Sequence, residues 1–475
     1  MSARVQTAFR VAGLIVLPMV IYAPALNGEF ISDDIRFIRD NPTMRIPNGL
    51  STIWLDPNAS PEYYPLVFTM FRMEYQLWGD NPVGYHVISA LLHGLVGVCF
   101  WRLLRQLAVP GAWLAAALFV VHPVNVESVA WIAARKNTLS TLFMLLSAGF
   151  YLRYVGVISK PGGVWKPDDL RLYAVSLGLF MLAMFSNNVA CTLPIVLLIL
   201  LVWIKGRPRA PSLYPLVLMG LLGAYMAYWT LALERRVMEQ QQGDWFDWSW
   251  LDSWIIAGRA VWFYAGKLFW PTHLSFVYER WPVGEHAAWE HLYPVGVMVL
   301  LTVLFALRRQ IGRGTFVAVV LFILILSPLL SVVPIAAMQY SFVADRWVYQ
   351  AALPMFALAG AFVVLLTTGD VRDQPSSAAA GRRVSPTLVI TAVTLLIGTS
   401  ILTWQRAAVF ASNEQIYADA LAKNPTSWFV HNNLGYALIQ KGRIADAVYH
   451  FDEALRLWDG YVGARMNLAA ALALQ

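Results

Sequence analysis

Asp33 and Asp34 stand side by side in Phe30-Ile31-Ser32-Asp33-Asp34. A carboxylate in a partly dehydrated cleft can take the proton of an attacking hydroxyl or help to ligate a divalent cation. The same residues, followed by Ile35 and Phe37, also suit a helix start, where short polar side chains accept from unpaired backbone N–H groups. Other ionisable residues recur at telling places. His86 and His93 lie seven residues apart, hence on one helix face two turns apart. His122 is followed by Glu127, Arg135 adjoins Lys136, and Asp345 adjoins Arg346. Two cations opening a helix run against its dipole, which favours anions there. Arg135 and Lys136, with Arg346, therefore read as an anion site, and the phosphate of a lipid carrier is a natural occupant because both side chains make charge-assisted bonds to its oxygens. Snorkelling to lipid headgroups is the competing account for each. The histidines read singly as buried hydrogen-bonding residues, and no ligand set is complete enough for zinc.

The elements that must carry these residues are membrane helices. Of 475 residues 58% are hydrophobic and only 13% charged, against about 25% charge in ordinary soluble domains. A water-soluble enzyme and a disordered chain are thereby excluded. The net charge of +7 fits the bias of basic residues towards cytoplasmic loops and does not argue for nucleic acid. Cys99 and Cys191 both lie in apolar stretches and suggest no disulfide framework.

A span needs about 20 apolar residues, and about eleven runs qualify. They lie within 11–28, 81–101, 106–126, 137–152, two within 172–204 (broken at Ser186-Asn187-Asn188), then 210–233, 291–307, 314–344, 347–369 and 384–405. The stretch 254–270 carries Arg259 and Lys267 and reads as a helix lying in the interface. Placing the N-terminus in the cytoplasm gathers Arg4, Arg10, Arg102, Arg105, Arg153, Lys160, Lys166, Arg171, Lys205, Arg207, Arg209, Arg308, Arg309, Arg313, Arg372, Arg382 and Arg383 on that side, as the positive-inside bias requires. Ala23-Pro24-Ala25 mimics a cleavage site behind the first run, but an uncleaved signal anchor is the expectation.

Residues 1–405 thus form the membrane domain. Within it, 27–80 is a long first external loop bearing the acid pair, and 234–290 is a second external loop with the interfacial helix. Tyr63 to Trp78, with Arg72 and Glu74, reads as an amphipathic surface helix packing as a lid on the bundle. From 406 to 475 the composition turns polar and repeats with a period of 34: Asn433-Leu434 recurs as Asn467-Leu468, and Ala437 as Ala471. Small residues at Gly435 and Ala447 would let paired helices approach. This is a tetratricopeptide-type tail, its last repeat incomplete at Gln475, and it calls for a protein partner or for packing on the membrane domain. Asn433, Tyr436 and Asn467 are its candidate partner-binding residues.

Taken together, Phe30 to Asp34, Tyr64-Pro65-Leu66, Asn81 to His86 with His93, His122-Pro123 with Glu127 and Ser128, Arg135-Lys136 running to Tyr154, and Ala344-Asp345-Arg346 with Tyr349 resemble the transmembrane and tetratricopeptide-repeat O-mannosyltransferase family, particularly its bacterial relatives. The match extends over nearly the whole chain, and each motif alone is less specific than the set.

The resemblance implies an all-α, polytopic helical bundle of the C-type glycosyltransferase kind, seated in the cytoplasmic (inner) membrane with its tail periplasmic. It implies an inverting transfer from a polyprenyl-phosphate sugar to a hydroxyl of a protein or glycan. Asp33, with Asp34 as the alternative, would be the base. Arg135, Lys136 and Arg346 would hold the donor phosphate, and His86, His93, His122, Glu127 and Tyr64 would line the site. No metal is required by that chemistry, although a divalent cation such as Mg or Mn is compatible with it. The chain departs from the family where acids are expected near Ala134 and Asn137 and a Lys-Glu pair at Ser186-Asn187-Asn188. Those neutral positions keep open a catalytically weakened membrane anchor whose tail recruits a partner. A transporter or flippase would need inverted repeats, and the break at 186–188 has no matching half.

Overall fold

The computed structural model describes residues 2–158, 169–240, 243, 245–331, 333–368 and 385–474. Lys160, Lys166, Arg372, Arg382, Arg383 and Gln475 lie outside them. Among the described residues the chain is helical, without strands, and each of the apolar runs marked above contains a helix, although in 314–344 only the first part, Arg313–Leu326, is α-helical.

Length and composition separate these helices into classes. Six are long and apolar enough to cross a membrane: Arg4–Ile21, Val83–Gln106, Asn188–Lys205, Ala210–Glu239, Ala288–Leu307 and Pro386–Val409. The bent pair Ala112–Val121 and Pro123–Ala130, turned by 55°, makes a seventh if it is one span. Leu170–Met184, Arg313–Leu329 and Ala352–Thr367 are shorter apolar helices. The Ala288–Leu307 and Pro386–Val409 spans bury only 6% of their apolar windows inside the protein. Side chains such as Met298, Phe305, Ile390 and Ile397 are left exposed, an arrangement suited to lipid and not to water.

The helix Arg135–Tyr154 is less apolar than these because its inner face is polar, with Asn137, Thr138, Ser140, Thr141 and Ser147 all buried. Some of that polarity is a clasp. Ser147 Oγ donates to the Ser176 carbonyl at 2.8 Å and Ser176 Oγ donates back to the Ser147 carbonyl at 2.9 Å, joining this helix to Leu170–Met184. Small hydroxyl residues allow such close approach and satisfy each other inside an apolar bundle. Trp250–Phe269, the expected interfacial helix, begins with a capping box of Ser249 and Asp252 and is not among the helices that pass as spans.

The polar C-terminal region is a row of four helices, Asn413–Lys423, Trp428–Ile439, Ile444–Leu457 and Val462–Ala473, each packed on the next. The second and fourth have 12 residues each and begin 34 residues apart. Gly435 permits the tightest of these contacts, since a Cβ there would stand 2.7 Å from the Phe451 ring. Asn467 donates to Asn432 at 2.9 Å and Asn433 folds back onto the Phe429 carbonyl at 2.8 Å, so both expected partner-binding amides are engaged inside the tail. Tyr436 is exposed. The tail lies against the membrane domain: Lys423 Nζ donates to the Leu274 carbonyl at 2.7 Å, and Arg406 pairs with Asp419 at 2.6 Å.

Candidate functional site

After the helix Ala3–Ile21 and the short Ala23–Leu26, the chain runs extended to Ser32, whose φ is +49°. That left-handed conformation costs a residue with a Cβ roughly 1–2 kcal/mol, and it turns the chain sharply before the acid pair. The two acids then diverge. Asp34 is wholly buried; its Oδ2 accepts from Ile31 N–H at 3.1 Å and its Oδ1 from Ala133 N–H at 2.6 Å. Asp33 is half-buried and faces a cavity. Asp34 therefore ties the segment after the first apolar helix to the turn before Arg135, while Asp33 is presented.

The cavity encloses about 850 Å³ including space open to the outside. Around Asp33 stand Glu62, Lys136 and Arg346, with Trp131, Tyr340, Trp347 and Phe429 among its aromatic walls. Lys136 reaches Glu62 at 2.8 and 2.5 Å and lies 5.2 Å from the Tyr64 ring centroid. Arg346 is held by the buried Glu127, which accepts from Nη1 at 2.5 Å and from the Arg346 backbone N–H at 3.1 Å. Its guanidinium lies 5.2 Å from the Trp131 ring centroid.

Burial, reinforced by the Glu62 carboxylate, raises the Asp33 carboxyl above its ordinary range, while Lys136, Arg346 and Arg36 pull it down. Burial pushes Asp34 up to about 8 against the pull of its two backbone hydrogen bonds. The pair thus divides: one acid is bonded to backbone on both oxygens and is structural, the other is accessible and tuned upward. Asp33 can accept a proton, and two cations across the same cavity can hold a phosphate or another anion.

Several expected residues stand elsewhere. Arg135 does not line the cavity. It is fully buried, donating to Glu74 at 2.6 and 2.5 Å, to Ser89 Oγ at 3.2 Å and to the Tyr85 carbonyl at 2.7 Å. The charge that opposes the helix dipole is thus met by a carboxylate from the helix Pro65–Trp78 and not by a ligand. That helix, expected as a surface lid, buries Phe68, Phe71, Arg72 and Glu74 and leaves Met73 and Leu77 exposed. His93 is spent on Tyr349 Oη at 2.7 Å and the Val120 carbonyl at 3.0 Å. His122 caps the turn Pro123–Asn125 by accepting from Val124 N–H at 3.3 Å. His86 is buried on Val83–Gln106 and, like the other two histidines, is not part of the cavity wall. Glu127 acts behind Arg346, and Tyr64 lines an adjoining cavity of about 1300 Å³ that shares Glu62 with the first.

Glu62, Tyr340 and Phe429 were not singled out from the sequence. A lone acid ahead of Tyr63-Tyr64-Pro65 was the available sign for Glu62, as the counter-charge that Lys136 needs. The neutral positions also find a place. Asn187 Nδ2 donates to Asn137 Oδ1 at 2.8 Å, and Asn137 Nδ2 donates to the Arg346 carbonyl at 2.9 Å. Where the family resemblance implies charged residues, two amides face each other, and neither lines the Asp33 cavity. Among the described residues no group of three or more His, Cys, Asp or Glu forms a metal-holding cluster.

With this geometry in view, known proteins offer a partial match. The chain is 29% identical over 188 residues to protein O-mannosyl-transferase TMTC2 of Mus musculus, covering 34% of this chain and 22% of that one. It is 31% identical over 169 residues to TMTC4 of Mus musculus, covering 30% and 22%, and 30% identical over 165 residues to TMTC3 of Mus musculus, covering 33% and 18%. The chain spans less than a quarter of the length of these curated relatives. No family model matches the chain. No solved structure matches it either.

Proposed function

We propose that the chain is a membrane glycosyltransferase that moves a sugar from a polyprenyl-phosphate carrier to a hydroxyl on the non-cytoplasmic face. The observation that carries this reading is one half-buried carboxylate, Asp33, sharing a cavity with Lys136 and Arg346. In the proposed step the acceptor oxygen forms a bond to the anomeric carbon as the bond from that carbon to the phosphate oxygen breaks. The hydroxyl proton passes to Asp33, and the polyprenyl phosphate departs with its charge met by Lys136 and Arg346. A single displacement of this kind inverts the anomeric centre. The names of the relatives support mannose as the sugar and a protein as the acceptor. The placement of Asn137 and Asn187 outside the cavity wall weakens the alternative of an inactive anchor. In this reading the tail is a tetratricopeptide-type array on the same side as Asp33, open to a protein partner through Tyr436.

The test is transfer in proteoliposomes from polyprenyl-phosphate mannose to Ser/Thr peptides, with the anomeric configuration of the product determined. Lys136→Met is expected to raise the donor KM by about 10- to 100-fold, the worth of one charge-assisted hydrogen bond of roughly 1.5–3 kcal/mol. Chelators are expected to leave the rate unchanged. Absence of transfer by the intact protein with any polyprenyl-phosphate sugar overturns the reading.

Its pH dependence has a definite sign. The base works ionised, so the rate rises as pH climbs through the Asp33 pKa, which lies above the ordinary carboxylate value. Glu62→Gln removes the like charge and leaves Lys136 acting on Asp33 alone. The acidic limb of the rate–pH profile should therefore move to lower pH, and a limb that stays in place would mean that another group titrates.

A further inference from the structure

The segment that carries Asp33 is held by residues from the far end of the chain. Asn413, first residue of the helix Asn413–Lys423, is 381 positions from Ser32. Its Oδ1 accepts from Ser32 N–H at 2.8 Å and its Nδ2 donates to the Phe30 carbonyl at 3.0 Å, so one carboxamide grips the backbone on both sides of Ile31. Glu29 completes the grip: its N–H donates to the Ala411 carbonyl at 3.0 Å and its carboxylate accepts from Asn413 N–H at 3.2 Å. Gly28 makes room, because a Cβ there would lie 3.2 Å from both Cα and O of Ala411.

This grip ends at the residue whose backbone is under strain. Ser32, at φ +49°, directly precedes Asp33, and such a conformation persists only where its surroundings over-determine it. Asn413 offers the donor and acceptor that a neighbouring strand would offer, in one side chain. Asp34 is already fixed by Ile31 and Ala133, so relaxation of Ser32 to negative φ would be taken up at Asp33. The tail also supplies Phe429 to the cavity wall, its ring 4.1 Å from that of Tyr340.

We infer that Asn413 is a positioning residue, its carboxamide holding the Ser32 turn that aims Asp33 into the cavity, so that docking of the tail is a condition of transfer. This rests on the reading of Asp33 as the base.

The experiment compares Asn413→Ala with Lys423→Ala, which removes another tail anchor, on the Leu274 carbonyl, without touching the Ser32 turn. For Asn413→Ala, kcat is expected to fall about tenfold or more with donor KM within about twofold, since a misaimed base slows chemistry and leaves the phosphate-holding cations in place. Lys423→Ala should keep kcat within about twofold. Equal losses in the two variants, or a change in KM alone, overturn the inference. Hydrogen–deuterium exchange on the same full-length proteins provides the second arm. Residues 29–34 should exchange faster in Asn413→Ala while 413–474 keep their protection, and unchanged exchange at 29–34 overturns the grip. Should the intact protein transfer no sugar, the base assignment falls while the exchange arm still decides whether Asn413 holds the turn.

Discussion

Asp33→Asn is expected to abolish measurable sugar transfer, lowering kcat by about 10²- to 10⁴-fold, the usual contribution of a positioned general base. The substitution is nearly isosteric and the residue is half-buried at a cavity wall, so thermal stability in detergent and donor KM should stay close to those of the intact protein. Asp34→Asn makes the opposite split. Both Asp34 oxygens accept backbone N–H groups, from Ile31 and from Ala133. An amide nitrogen in place of one oxygen sets a donor against a donor in a fully buried site, which costs about 1–3 kcal/mol. Its loss should appear as a lower melting temperature, with activity falling in proportion to the folded fraction. The two measurements together separate the base from its neighbour. If Asp33→Asn keeps its rate, or if only Asp34→Asn loses it at unchanged stability, the roles are reversed or absent.

How much of this was legible beforehand differs from residue to residue. The apolar runs were legible as helices, because a helix in lipid must be apolar over a fixed length, although among the described residues six helices, or seven with the bent pair, are long and apolar enough to span, not eleven. The helix Arg135–Tyr154 shows the limit of that rule: its polar stripe is spent on Ser176, Asn187 and the Arg346 carbonyl, partners that no local pattern announces. The acid pair was visible as a pair. Which member faces the cavity was not, because the answer depends on Ala133, 99 positions away, and on the positive φ of Ser32. Asn413 gave no sign at all, since an Asn beside an N-capping Ser reads as ordinary helix-start chemistry.

The cations teach a geometric version of the same lesson. Adjacent residues on an α-helix point about 100° apart, so Arg135 and Lys136 could not share one anion unless it sat over the helix end. One goes inward to Glu74 and the other to the cavity. Lys136 and Arg346 meet across 210 positions instead, brought together because Glu127 and Asn137 both hold the Arg346 segment.

Breaking the buried pair of Arg135 and Glu74 should produce a large loss of stability. Arg135→Ala would leave the Glu74 carboxylate without its partner in a site where Arg135 is wholly buried and the Glu74 side chain is 6% exposed. It would also vacate the bonds to Ser89 and the Tyr85 carbonyl and the place of the guanidinium 5.0 Å from the Phe71 ring centroid. Removing one member of such a pair costs roughly 3–5 kcal/mol, because the survivor keeps its desolvation penalty and loses its compensation. Replacing both, as in Arg135→Met with Glu74→Leu, removes the stranded charge and should recover most of the loss in melting temperature. The double variant decides a second question. If Arg135 bound donor phosphate, donor KM would rise even where stability had returned. Since the guanidinium stands outside the cavity wall and its bonds are taken by Glu74, Ser89 and Tyr85, donor KM is expected to stay within about twofold, in contrast to the 10- to 100-fold rise expected for Lys136→Met. A rise in the stable double variant matching that of Lys136→Met would return Arg135 to the donor site and would mean that the ion pair opens when the lipid phosphate binds.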